Sequence, residues 1–250
     1  MSWRHGLGRV GGLVVGLLMV GLANAQDISL VNAAPAGGGG TSYSVPVQTV
    51  LLLTAMSFLP SALMLMTSFT RILIVFSLLR QALGLQSMPP NAVLVALSMF
   101  LTFFVMNPVF ETMYTQAWQP YASKQINLEA ALDKGSKPLK EFMLAHTRDS
   151  DLQLFSRLSR VPLTDREAVP LRVVVPAFAI SEIRTGFLIG FVIFLPFVVI
   201  DLAVASILTS VGMVMVSPVM FSLPLKLIIF TLADGWSLLA GSLVESFLPR

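Results

Sequence analysis

Two stretches of this sequence are too apolar for water, too long for one simple membrane crossing, and charged inside. Residues 47–83 form an almost unbroken apolar run of roughly 37 residues, about 55 Å of helix at about 1.5 Å per residue. A bilayer core needs only about 20 residues, and Arg71 falls in the excess. Residues 176–211 form a second long run, which contains Glu182, Arg184 and Asp201. Helices this long and this charged cannot be bathed in lipid throughout. They are expected to pack against other helices of an assembly, with Pro60 and Pro196 as bends.

Composition agrees. The chain is 55% hydrophobic and 12% charged, against about 25% charged in soluble domains, and its mean hydropathy is +0.82. It reads as an integral membrane protein or a subunit buried in a large assembly. A formal charge of +3 without a Lys/Arg run gives no footprint for nucleic acid. The absence of cysteine excludes disulfides, zinc–cysteine sites and thiol chemistry, and two histidines, His5 and His146, are too few for a histidine metal cluster. No phosphate-binding glycine–lysine motif occurs, so nothing points to an ATPase or to a bound cofactor.

The opening residues "MSWRHGLGRV" place Arg4 and Arg9 ahead of "VGGLVVGLLMVGL", and "ANA" ends at Ala25. This is the pattern of a secretory signal peptide, residues 1–25, cleaved between Ala25 and Gln26. An uncleaved first span is the alternative. Residues 26–44 then form a glycine-rich tether with too little apolar surface to fold alone.

Beyond the tether, two apolar blocks flank a polar one. The first, residues 45–118, breaks at "LGLQSMPPN", where Pro89 and Pro90 cannot continue a helix and Asn91 can cap the next. Residues 119–175 hold nine of the sixteen Lys/Arg and seven of the thirteen Asp/Glu. Within them "LEAALDKGSKPLKEFMLAH" and "DSDLQLFSRLSRV" have the apolar spacing of short amphipathic helices. The last block, residues 176–250, breaks around Pro218 and Pro224. The expected fold is all-α and membrane-associated: two long helical hairpins with an extracytoplasmic helical insert between them. An exported N-terminus puts the insert and the C-terminus outside, and both hairpin tips in the cytoplasm. Arg80 and Lys226 near those tips agree with the positive-inside rule.

Six ionisable residues lie within or against the apolar segments: Arg71, Glu182, Arg184, Asp201, Lys226 and Asp234. An unpaired charge at membrane depth costs at least about 2.5 kcal/mol, so such residues pair or line water. Pairing that fixes helix register is one reading, and a translocation or proton-coupled path is another. Asp201 and Asp234 also admit an aspartyl-protease pair, but the glycine context of its second aspartate is missing. The last block contains "VGMVMVSPVMFSLPLKL", where three of the 13 methionines fall within residues 213–220. Methionine is flexible and polarisable. These residues are either ordinary core or a deformable constriction lined by Met213 and Met215.

The stretch "TSFTRILIVFSLLRQALGLQSMPPNAVLVALSMFLTFFVMNPV" (67–109) resembles the signature of the FliP family of flagellar type III export-gate proteins. So does "PAFAISEIRTGFLIGFVIFLPFVVIDLAVASILTSVGMVMVSPVMFSLPLKLIIFTLADGW" (176–236). The resemblance implies a homo-oligomer of several copies that forms a helical gate with the small membrane subunits FliQ and FliR. FlhB and FlhA are expected beneath it, with FliO as an assembly factor. The gate sits in the inner membrane at the flagellar basal body. Unfolded flagellar subunits would pass through it, driven by the proton motive force and a separate ATPase. The family's pore gasket is usually three consecutive methionines; this chain has Met213, Val214 and Met215. The family's charged positions fall on Glu182, Asp201 and Lys226. The competing functions are a small-solute membrane transporter, for which no internal repeat is evident, and an intramembrane aspartyl protease.

Processing is directly testable. N-terminal sequencing of the membrane-extracted protein should begin at Gln26, and a retained Met1 or Ser2 would refute both the cleavage and the orientation built on it.

Overall fold

The computed structural model describes residues 32–35, 41–44, 47–163, 165–213 and 215–248. The expected signal peptide, with Ala25 and Gln26, lies outside the described residues, as does Val214. Within the expected tether, β1 (Asn32–Pro35) and β2 (Thr41–Ser44) pair as an antiparallel ribbon, with Asn32 opposite Ser44. The other regular elements described are helical. In chain order they are α1 (Val47–Leu65), α2 (Phe69–Ala82), α3 (Asn91–Met113), a π-helical turn (Tyr114–Trp118) and α4 (Gln119–Ala122). There follow α5 (Leu128–His146), α6 (Asp149–Leu158), α7 (Leu171–Ser210), α8 (Val219–Leu232) and α9 (Gly235–Glu245).

The chain divides into two compact units, one of Met1–Leu63 with Phe110–Gly135 and one of Met64–Val109 with Ser136–Arg250. In the first, the π-turn leads into α4, and the rings of Trp118 and Tyr121 lie 6.2 Å apart. Asn127 opens α5 by accepting the Ala130 N–H on its side chain at 2.9 Å, a capping bond that satisfies an orphan donor of the first turn. Gly135 lets α5 approach this turn closely, since a Cβ there would lie 3.3 Å from that of Ala117.

The second unit is organised around α2 and α7. On α2, Ile72, Val75, Phe76, Leu79 and Ala82 are buried, the three- and four-residue spacing of one helical face. Gly186 and Gly190 on α7 allow the two backbones to meet: a Cβ on Gly186 would sit 3.1 Å from Ile74 Cγ2, and one on Gly190 would overlap the Leu78 side chain. Ile74 faces Gly186 and Leu78 faces Gly190, so numbering rises together along both helices and they run parallel. Leu94, Phe197, Phe230, Leu239, Leu243 and Phe247 complete this core.

Several boundaries differ from expectation, each for a local reason. The apolar run at 47–83 is two helices, because Thr67 and Ser68 interrupt it. The Thr67 hydroxyl donates to Met64 O at 3.0 Å and accepts from the Phe69 N–H at 3.4 Å, competing with helical bonding as short hydroxyl side chains do. Asn91 does not spend its side chain on the helix it begins: Asn91 Oδ1 accepts from Arg80 Nη1 at 2.6 Å, and Pro90 supplies the first helical carbonyl. Pro60 and Pro196 lie inside α1 and α7. Pro224 is also internal, to α8, so the break near it falls wholly at residues 211–218. The polar block forms α5 and α6 over the two quoted segments, as their periodicity requires.

Two helical stretches are long and apolar enough to cross a bilayer, Asn91–Ala122 and Leu171–Ser210, with mean hydropathies of 2.1 and 2.7. The pair α8 and α9 qualifies as a third only if taken as one span, because it bends by 64° at Ala233–Asp234. Two hairpins imply four apolar arms; among the described residues the first is interrupted at Thr67 and the last at this bend. Asp234 adopts the left-handed region (φ 49°) that ends α8, which a short polar side chain tolerates.

The bend is held by aromatic packing. Phe230 meets Trp236 edge to face at 5.4 Å and Phe197 at 6.3 Å, and Trp236 reaches Phe76 at 6.3 Å. The Phe230 ring lies where a side chain on Gly235 would go. Gly235→Ala should therefore destabilise the detergent-extracted protein by ~1–3 kcal/mol through overpacking. Gly241→Ala, where no atom lies within 4 Å of the new methyl, should be neutral or stabilising by up to about 1 kcal/mol. Thermal melts of the two variants decide it; equal melting temperatures would mean that the Phe230 ring simply swings aside.

Candidate functional site

Two charged nodes tie the apolar helices of the second unit together. In the first, Arg71 of α2 forks onto Glu182 of α7, with Nε 2.9 Å from Oε2 and Nη2 2.5 Å from Oε1. The side chains are 5% and 0% exposed. The remaining guanidinium nitrogen, Nη1, donates to Ser246 Oγ at 3.0 Å and Ser246 O at 3.4 Å, and the guanidinium carbon lies 3.8 Å above the Phe247 ring. A bidentate, charge-assisted pair is among the stronger polar contacts, and here each of the three guanidinium nitrogens has an acceptor. That is how a charge can stand on a face otherwise made of Ile72, Val75 and Phe76.

The second node lies further along α7. Lys226 of α8 donates to Asp201 Oδ2 at 2.6 Å and to the Ala82 carbonyl at 3.0 Å, so one ammonium joins α7, α8 and the C-terminal end of α2. A cation on the last carbonyls of a helix also complements its dipole. Lys226 is 5% exposed and Asp201 38%. Asp201 Oδ1 is buried with no hydrogen-bond partner among the described residues.

Arg184 and Asp234 do not join these nodes. Arg184 is exposed, because two residues beyond Glu182 on a helix is about 200° around the axis, and it has no ion-pair partner among the described residues. Asp234 is exposed at the α8–α9 bend, where its Oδ1 accepts from Ser237 Oγ at 3.0 Å. Expected alongside the buried charges, both lie on the outer surface of this chain. The polar contact of Asp201 is to Lys226 and that of Asp234 is to Ser237, so the two carboxylates are not joined by a hydrogen bond among the described residues.

The methionine-rich loop leaves α7 through a glycine-terminated cap. Gly212 has φ 84°, its N–H reaches Thr209 O at 3.0 Å, and the Met213 N–H reaches Leu208 O at 2.9 Å. This paired pattern satisfies the last carbonyls of a helix and reverses the chain. Gly84 ends α2 in the same way, with φ 80° and bonds from Gly84 N to Gln81 O at 2.9 Å and from Leu85 N to Arg80 O at 3.1 Å. Beyond Gly212, Met213 and, on the first turn of α8, Met220 are exposed, and Met215 is wholly so.

Ser246, Phe247 and His146 belong to the first node, and sequence reasoning gave them no such place. His146 Nδ1 lies 2.8 Å from Phe142 O and Nε2 lies 3.3 Å from Phe247 O. The one available signal was Phe142 standing four residues before His146, a spacing that stacks two rings on one helical face.

Long apolar helices braced by buried ion pairs, with an exposed methionine loop at a helical turn, define a polytopic helical membrane protein. The FliP family profile matches residues 52–243. The chain is 51% identical to the flagellar biosynthetic protein FliP of Pectobacterium carotovorum subsp. carotovorum over 237 residues, which is 94% of this chain and 92% of that one. It is 50% identical to the protein of the same name from Bacillus subtilis (strain 168), over 82% of this chain and 94% of the relative. For the Agrobacterium fabrum protein of that name the identity is 46%, over 94% and 97%. The chain belongs to the FliP family.

The two nodes differ in burial, and so in what their loss costs. Glu182→Ala strands a guanidinium with no water to solvate it, a loss of about 3–5 kcal/mol. Asp201→Ala should cost less, about 1–3 kcal/mol, because solvent already screens that carboxylate and Lys226 keeps the Ala82 carbonyl. Denaturation of the two variants in one detergent tests the order, and Asp201→Ala proving the more damaging would reverse the assignment of the principal brace.

Proposed function

We propose that this chain is a pore-forming subunit of the flagellar protein export gate, a conduit and not a catalyst. Several copies assemble with FliQ and FliR in the inner membrane at the flagellar basal body, and unfolded flagellar subunits pass through. FlhB and FlhA lie beneath the gate and FliO assists its assembly. In this reading residues 45–118 and 176–250 are two helical hairpins, and residues 119–175 form a periplasmic insert. The two charged nodes brace the subunit, and Met213, Val214 and Met215 line the gasket.

The observation that carries the reading is the loop after α7. Flexible, polarisable methionines, Met213, Met215 and Met220, stand exposed at a sharp turn and the helix start that follows it. A monomer gains nothing from that exposure. A ring of copies gains a constriction that seals at rest and yields to irregular cargo. Family membership, with relatives named for flagellar biosynthesis, supports the same assignment.

Replacing Met213, Val214 and Met215 together by alanine should leave assembly intact and let small ions or dyes leak through the membrane. Isoleucine at the three positions should keep the seal and slow export, since branching at Cβ removes side-chain freedom. The readouts are native mass of the extracted complex, dye flux and secreted flagellin. An assembled triple-alanine gate that stays tight, or one that falls apart, would make these residues packing only. A monomer without companions would favour a small-solute transporter.

A further inference from the structure

The turn that follows α9, Ser246 and Phe247, is gripped from two sides. Arg71 Nη1 donates to Ser246, and its guanidinium covers one face of the Phe247 ring. From α5, Phe142 stacks against Phe247 at 6.2 Å with 19° between the ring planes, and the His146 ring lies 5.3 Å from it. His146 is itself 4.5 Å from the Phe142 ring. The tail therefore joins α5 of the polar block to α2 and α7 of the apolar core, and His146 is the member of this cluster whose ordinary pKa is near neutrality.

The neutral imidazole has one N–H for two carbonyl oxygens, Phe142 O at 2.8 Å and Phe247 O at 3.3 Å. Protonation would supply the second donor, though to the longer and weaker contact. It would also set a second cation in a half-buried place beside Arg71. The carboxylate that could compensate, Glu182 of α7, is already engaged by two nitrogens of Arg71. The other nearby acids stand at the start of α6, where Asp149 pairs with Arg166 and Asp151 lies in the buried face. The tail meets His146 through the carbonyl and ring of Phe247, while its own acid, Glu245 at the end of α9, is exposed to solvent.

We propose that His146, Arg71, Ser246 and Phe247 form a pH-responsive clasp, which holds the C-terminal turn against α5 while His146 is neutral and releases it on protonation. Burial, joined by the charge of Arg71, holds the imidazole below its ordinary range despite the pull of the two carbonyls. The sign follows from that direction. A group whose folded pKa is depressed contributes stability that is whole above its unfolded value and is lost as pH falls through the folded value. Acid, not base, opens the clasp.

Hydrogen exchange of the full-length detergent-extracted protein tests this, at about pH 8 and about pH 5.5, on either side of the ordinary histidine value of about 6.5. Protection factors divide out the intrinsic pH dependence of exchange, and peptides from α7 serve as an internal reference. The wild-type C-terminal peptide should lose protection severalfold at the lower pH while α7 does not. In His146→Gln, which keeps a neutral donor, tail protection should not change with pH; His146→Asn replaces it if Gln disturbs folding at pH 8. A wild-type tail equally protected at both values, or a tail in the Gln or Asn variant that opens as the wild type does, overturns the clasp.

Discussion

The fork of Arg71 onto Glu182 is the contact around which the second unit is arranged. It joins two parallel helices at the point where their apolar faces begin to interlock, and the glycines at 186 and 190 follow about one and two turns on, along the same side of α7. Close backbone approach brings the guanidinium and carboxylate within bonding distance without solvent. The pair in turn fixes which ridge of α2 enters which gap of α7. Burying two charges is expensive, and replacing such a pair by well-packed apolar residues is often neutral or better for stability alone. Its value here is directional. An apolar interface of Ile, Val and Leu admits slippage by a turn, whereas a bidentate pair fits at one setting only.

Lys226 repeats the arrangement roughly 28 Å further along α7, taking about 1.5 Å for each of the 19 residues from Glu182 to Asp201. The two nodes sit differently with respect to solvent. The first is sealed by the Phe247 ring, while the second keeps one carboxylate more than a third exposed, with Oδ1 buried and lacking a bond.

Much of this was legible in the residues. Helices α5 and α6 follow from three- and four-residue apolar spacing, and the turn after α2 from Gly84, Pro89 and Pro90. The candidate charges could be picked out by their rarity in apolar sequence, and four of the six, Arg71 with Glu182 and Asp201 with Lys226, are paired. What could not be read was which charges face inward. Glu182 and Arg184 are two residues apart, so one had to point away, and only the packing of α2 chooses which. The Thr67 break was hidden because two small polar residues, Thr67 and Ser68, barely lower the hydrophobic average of a run of roughly 37 residues. The tail contacts were hidden for a different reason: Ser246 and Phe247 meet residues more than a hundred positions away, and nothing in a linear pattern marks such partners.

The glycine at the end of α7 separates geometry from chemistry in the loop that follows it. Gly212 sets the handedness of the reversal, and two backbone bonds fix where Met213 departs. No side chain packs within 4 Å of the place where a Gly212 Cβ would stand. The loop's entry is thus specified by main chain alone, and the residues it presents are under little obligation to the fold. Such a loop behaves as an interchangeable fitting. Its exposed side chains can be exchanged by design while the scaffold that carries them keeps its shape.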